Sequence, residues 1–223
     1  MKRILVLNPN SNESVTQGLA ESVAEFGGIS TVDVHCATLS DGPFGIETNE
    51  DIAAVIPLIT AKVLASPVFD AFVIACYSDP GLAECREVCD KPVFGIQQSA
   101  LETAIASGGR FGVLALSNES IERHVAYIRT LGYDEYLAGE LPLDVTVDQA
   151  ASDDDTLRKI VAQGRRLIEE SGATVLILGC AGMATLRAEA EAELGVSVIE
   201  PTQATVRLAI AAFESILPAR RYL

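Results

Sequence analysis

Apolar positions along the chain fall into short unbroken runs, separated by longer stretches in which they recur every three or four residues. Runs such as Ile4-Leu5-Val6-Leu7 and Phe72-Val73-Ile74 are too short for helices and show no alternation. They read as strands covered on both faces. The periodic stretches read as helices with one apolar face. In the first half the pattern predicts strands at 4–7, 31–37, 72–76 and 93–96, with helices at 14–25, 52–64, 82–89 and 99–106. In the second half it predicts strands at 111–116, 136–141, 175–180 and 196–199, with helices at 121–131, 156–171, 186–194 and 203–217. Such alternation predicts an α/β fold with mainly parallel sheets flanked by helices.

The two halves repeat one plan. Arg3-Ile4-Leu5-Val6-Leu7 returns as Arg110-Phe111-Gly112-Val113-Leu114, 107 residues on (110 − 3), and Cys76 is answered by Cys180, 104 residues on (180 − 76). Pro92-Val93-Phe94-Gly95-Ile96 is answered by Val196-Ser197-Val198-Ile199. The pattern predicts two similar lobes, pseudo-twofold related, with a ligand cleft between them. The first lobe is expected to comprise 1–98 plus a returning helix in 203–223, and the second 99–202.

Composition narrows the function. Thirty-one acidic against 16 basic side chains give a net charge of −15, a field that repels nucleic acid and anionic membrane alike. No apolar stretch is long enough to span a bilayer, and the opening residues do not read as an export signal. Five cysteines, an odd number without framework spacing, are expected to be reduced thiols of a cytoplasmic protein rather than structural disulfides.

Two of those cysteines stand apart. Cys76 and Cys180 end predicted strands, and each precedes a turn into a helix, which places them on the sheet edge where parallel folds bind ligands. In Cys76-Tyr77-Ser78-Asp79-Pro80-Gly81, Asp79 reads as the cap of the next helix and Pro80 as its first residue. In Cys180-Ala181-Gly182-Met183 the small residues let the backbone approach a ligand. Amides at these turns are expected to lower one thiol by about one to two pK units. Asn8-Pro9-Asn10-Ser11 follows the first strand, and Ser117-Asn118 occupies the matching place in the second half, so both are polar anchor candidates.

Other features have plainer readings. Cys36, Cys85 and Cys89 read as core residues, and a zinc site is not expected: the histidines are His35 and His124, and Cys-x-x-Cys is absent. His124 reads as a surface or packing residue of a helix. Gly42-Pro43-Phe44-Gly45-Ile46-Glu47 is either a flap with Phe44 shielding the site or a surface loop. Asp153-Asp154-Asp155 reads as a solvated loop that caps the helix starting near Thr156. Neither a phosphate loop nor a Gly-x-Ser-x-Gly nucleophile turn is present.

Taken together, Asn8-Pro9-Asn10-Ser11, the Gly-Pro-x-x-Ile-Glu segment at 42–47, Ala75-Cys76 with Asp79-Pro80-Gly81-Leu82, and Leu178-Gly179-Cys180-Ala181-Gly182-Met183 resemble the hydantoin and allantoin racemase branch of the aspartate/glutamate racemase superfamily. The resemblance covers nearly the whole chain. It implies a cofactor-independent, metal-free racemase that assembles as a homo-oligomer around a small-molecule substrate. Cys76 and Cys180 would be the catalytic pair, with Asn8, Phe44 and Gly45 as substrate contacts; the strand-end turns add Tyr77, Ser78, Ser117, Asn118, Ala181 and Gly182 as further candidates around the substrate. Leu116-Ser117-Asn118 and Gln97-Gln98-Ser99 depart from the branch's usual residues and are expected to border the pocket. Because the candidate loops carry no arginine, a neutral cyclic ureide is favoured over an open-chain amino or dicarboxylic acid. A non-enzymatic two-lobed binding protein is the third reading, and the pair of cysteines disfavours a decarboxylase.

Overall fold

The computed structural model describes residues 1–26 and 32–216. The predicted strand start at Thr31, the helix end at Leu217 and the rest of 217–223 lie outside the described residues. The first half runs β1 (Lys2–Asn8), α1 (Glu13–Val23), β2 (Val32–Thr38), α2 (Asn49–Leu64), β3 (Ala71–Ile74), α3 (Leu82–Val88), β4 (Val93–Gly95) and α4 (Ile96–Ala106). The second runs β5 (Phe111–Ala115), α5 (Asn118–Thr130), β6 (Leu137–Pro142), α6 (Val147–Ser152), α7 (Asp155–Ser171), β7 (Val175–Leu178), α8 (Arg187–Leu194), β8 (Ser197–Ile199) and α9 (Pro201–Ile216).

Two four-stranded parallel sheets result, ordered β2-β1-β3-β4 and β6-β5-β7-β8. The expected two-lobed α/β architecture is present, with the same strand order in both lobes. Strands β3 and β7 begin 104 residues apart (175 − 71) and are buried at every position. Their covered faces explain the unbroken apolar runs. Along β1 the side chains alternate: Ile4 and Val6 join the core continuous with the second lobe, whereas Leu5 and Leu7 join a separate core under α2.

Helices α4 and α9, which follow the last strand of each lobe, pack against each other. Helix α9 lies on β1, β3 and β4, while α4 lies on β5, β7 and β8. Each lobe's closing helix therefore reaches across and fastens the other lobe. Helix α6 escapes the sequence reading because it is only six residues long; a Thr146 and Gln149 capping box starts it.

Candidate active site

In each sheet the strand order reverses between two neighbours, β1 with β3 and β5 with β7. The outgoing connections diverge there and leave a crevice at the carboxyl ends. Both cysteines stand at these points, two residues past β3 and β7. The ladders extend equivalently in the two lobes: the Ala75 amide donates to the Leu7 carbonyl at 2.9 Å, and the Gly179 amide to the Leu114 carbonyl at 2.8 Å. Glycine at 179 is required by proximity, since a Cβ there would sit 2.7 Å from that Leu114 oxygen.

Cys76 and Cys180 line one cavity, together with Tyr77, Ser78, Ala181 and Gly182. Both are free thiols. The backbone amide of Gly182 donates to the Cys180 sulfur at 3.3 Å, as a polar turn at a strand end can. The expected lowering of a thiol pKa does not follow. Burial lifts Cys180 to about 11, with the Gly182 and Met183 amides pulling it back and Glu47 and Glu200 pushing it further up. Cys76 is lifted well above the thiol range by burial, and Cys180 and Asp79 add to the effect; Arg123 and the Ser78 amide only partly oppose it. Loss of water outweighs the donors at both positions.

Asp79 is a cap, but of a different helix than the one expected. Its backbone is left-handed, with φ of 45°, and its carboxylate accepts from the Gln97 and Gln98 amides at 2.9 and 2.8 Å, the first turn of α4. Pro80 precedes α3, which starts at Leu82 after Gly81. The brace demands a bare backbone at Gly95, where a Cβ would lie 2.2 Å from the Asp79 carboxyl carbon. Burial raises the Asp79 carboxyl to about 7 despite the two amide bonds. Glu200 does the corresponding work for α9 with bonds from Thr202 and Gln203, and burial likewise raises it to about 7.

Five expected contacts stand away from the cavity wall. Asn8 is wholly buried, its amide donating to Asn10 Oδ1, the Asn12 carbonyl and Thr16 Oγ1. It shapes the loop that brings Asn10, not itself, to the cavity. Phe44 is 61% exposed, and Ile46 is the member of its segment that faces inward. Gly45 instead lies where a Cβ would meet Val147 and Glu47 at 3.1 Å. Ser117 caps α5 through the Ser120 amide, and Asn118 is exposed in its first turn. Of the departing segments, Leu116 lines the cavity, whereas Gln97 and Gln98 serve the Asp79 brace.

The residues missed lie on one face of α5. Ser120, Arg123 and His124, spaced i, i+3 and i+4, all reach the cavity. An arginine is thus present after all, supplied by a helix rather than a loop. Its guanidinium donates to the Glu47 carbonyl at 3.0 Å and pairs with Glu119 at 3.1 Å, leaving Nε buried and without a partner. Glu47 also accepts from the Val147 amide at 2.9 Å, so the 42–47 segment is fastened to the second lobe at two points. His124, read as a surface or packing residue, is 2% exposed and faces the cavity.

A pair of matched parallel-sheet lobes, each delivering a cysteine from its switch point into a shared cavity, defines a cleft enzyme of duplicated architecture. The chain belongs to the Asp/Glu/Hydantoin racemase family, whose model matches residues 4–209, and it is an isomerase. The hydantoin racemase of Pseudomonas sp. (strain NS671) is 32% identical over 221 residues, covering 93% of this chain and 84% of that protein. Among solved structures, the allantoin racemase from Klebsiella pneumoniae superimposes with a TM-score of 0.90 at 25% identity, covering 97% of this chain and 89% of that one. The allantoin racemase from Pseudomonas fluorescens gives 0.89 at 26% identity, covering 96% and 91%. Within the family the chain stands with the hydantoin and allantoin racemase branch.

Proposed function

We propose that this isomerase racemises a five-substituted hydantoin or allantoin by proton transfer between Cys76 and Cys180. The observation that carries the reading is the arrival of both thiols in one cavity from equivalent strand ends of opposed lobes. One cysteine, as thiolate, takes the proton from the stereogenic carbon, whose electron pair delocalises onto the neighbouring carbonyl. The other, as thiol, returns a proton to the opposite face. Each turnover exchanges the roles of the two sulfurs, so neither a cofactor nor a net redox change is needed. The Ser78, Gly182 and Met183 amides point at the sulfurs and favour whichever thiolate is present. The assignment of 1–98 with 203–223 to one lobe and 99–202 to the other belongs to this reading, supported by the packing of α9 on β1, β3 and β4.

Arg123 favours a second reading on one point: a guanidinium beside the thiols suits a substrate carrying a carboxylate, including an open-chain amino acid. Optical rotation of allantoin, several 5-substituted hydantoins, aspartate and glutamate separates the two readings, and no change with any of them removes both. Cys76→Ser and Cys180→Ser should each abolish racemisation, while either one still exchanges the substrate proton with deuterium oxide for a single enantiomer. Full racemisation by both variants would exclude the two-thiol route.

A further inference from the structure

Beside the thiols the cavity holds a third proton-bearing unit that the two-cysteine scheme leaves unused. His124 on α5 and Glu140 on β6 are paired through Nδ1 and Oε1 at 2.5 Å, with side chains 2% and 1% exposed. The ring of Tyr77, the residue after Cys76, meets the imidazole edge-on with centroids 4.9 Å apart. Glu140 Oε2 and the Tyr77 hydroxyl are both buried without a hydrogen-bond partner. A buried carboxylate is costly unless something balances it, and its cost here is visible in the upward push that burial gives the Glu140 carboxyl, opposed by His124.

Proton counting decides what the pair presents to the cavity. Burial favours the pair with no net charge, and two arrangements satisfy that without leaving a buried hydrogen unpaired on Glu140. In one, a carboxylate faces a doubly protonated imidazole. In the other, a carboxylic acid donates to a bare Nδ1, and the ring keeps its proton on Nε2. Both carry a hydrogen on Nε2. Two other arrangements bare Nε2: a carboxylate facing a neutral Nδ1–H imidazole leaves a buried negative charge, and a carboxylic acid with its hydrogen on Oε2 leaves that buried O–H without an acceptor.

We infer that His124, oriented by Glu140, donates a hydrogen bond from Nε2 to the substrate carbonyl oxygen that takes up charge when the proton leaves the stereogenic carbon. His124 lines the cavity, and with Nδ1 engaged, Nε2 is the ring nitrogen left to serve it. This inference rests on the racemase reading above and adds a donor fixed before the reaction starts, where transition-state charge is most effectively stabilised. Glu140 is a positioning residue: it holds the ring and keeps the donor hydrogen in place.

The test compares two isosteres. In His124→Asn the side-chain amide can still donate to Glu140 but has nothing at the Nε2 position; in His124→Gln a donor reaches that position. His124→Asn should lose about 100- to 1000-fold in kcat, the usual cost of one oxyanion donor, with KM near wild type and deuterium exchange falling in step. His124→Gln should recover a measurable part of that loss. Glu140→Leu should lower kcat rather than raise KM, with Glu140→Gln, which still pairs with Nδ1, in between. Nitrogen-15 spectra of the ring read the donor directly, because only His35 and His124 contribute. A bare Nε2 in wild type, or His124→Asn turning over at the wild-type rate, overturns the inference. Wild type moving no compound in the panel would sink the racemase reading instead, and the ring spectrum would still decide whether the donor exists.

Discussion

The pH dependence of racemisation follows from how deeply the thiols are buried. Cys180 is 7% exposed, and burial carries it from 9.0 to about 11, about two units, or about 3 kcal/mol against the thiolate. At pH 8 about one molecule in a thousand therefore holds the Cys180 thiolate in the absence of substrate. Cys76 is pushed further in the same direction, so it remains the proton-bearing partner across the accessible range. Because kcat/KM reports the protonation state of the free enzyme, it should rise about tenfold per pH unit from about pH 7 to about pH 10, with no descending limb. An ordinary thiol would give a plateau near pH 9.

The assay is the initial rate of optical rotation under subsaturating substrate, with the base-catalysed background subtracted and the fold checked by circular dichroism at each pH. Iodoacetamide alkylation of Cys180, followed by peptide mass, should climb with the same slope. A plateau at or below about pH 8.5 in both measurements would mean that the thiolate is already formed at neutral pH, and the reasoning from burial would fail.

Two further outcomes test the scaffold. Glu200 is raised from 4.5 to about 7, so the folded state keeps a proton that the unfolded chain has lost; its contribution is full below about pH 4.5 and is lost as pH rises through 7. Urea denaturation should find wild-type stability falling by about 3 kcal/mol more than that of Glu200→Gln across this window, and parallel curves would refute the assignment. Asn8→Ala removes the two Nδ2 hydrogens, shared among acceptors in the first loop and α1, and the acceptor of the Asn10 amide, costing about 3 kcal/mol and about 6 to 12 °C in Tm for a chain of this size, with KM little changed once folded; a large KM effect without loss of stability would make Asn8 a substrate contact instead.

Much of the architecture is legible because buried parallel strands leave unbroken apolar runs, and because duplication sets matching runs a nearly constant distance apart. The two thiols stand out for the same reason: the end of a fully buried strand is a position that sequence alone can mark. The cavity's polar wall is harder to see. Ser120, Arg123 and His124 sit on an exposed-looking helix, and only their i, i+3, i+4 spacing hints that one face turns inward. Glu140 lies in a strand whose apolar pattern is interrupted by it, a conflict resolved by His124 from another element. Asp79 misleads for a related reason: the motif around it carries the local signature of an N-cap, but the carboxylate is claimed by α4, seventeen residues further on (96 − 79). Caps are read from neighbours in sequence, and here the neighbour is in space.

The pseudo-symmetry of the lobes does not extend to the surroundings of the sulfurs. Each thiol has a buried carboxylate nearby, Asp79 for Cys76 and Glu200 for Cys180, and both carboxylates raise the thiol they accompany, Glu200 after the larger push that Glu47 gives Cys180. They reach the same electrostatic result by different routes, one bracing α4 from a distant loop and the other capping its own helix. A racemase interconverts mirror images of equal energy, so the proposed two-thiol route requires that both thiols can hold a proton and neither be permanently ionised. Burial with an acidic neighbour on each side meets that requirement twice over. It also leaves the resting thiols poor nucleophiles, protected from alkylation and oxidation at neutral pH. In the proposed mechanism the small fraction of enzyme that holds a thiolate does the chemistry, the cysteine-turn amides favour that thiolate, and the donor inferred at His124 acts on the substrate carbonyl as charge passes to it.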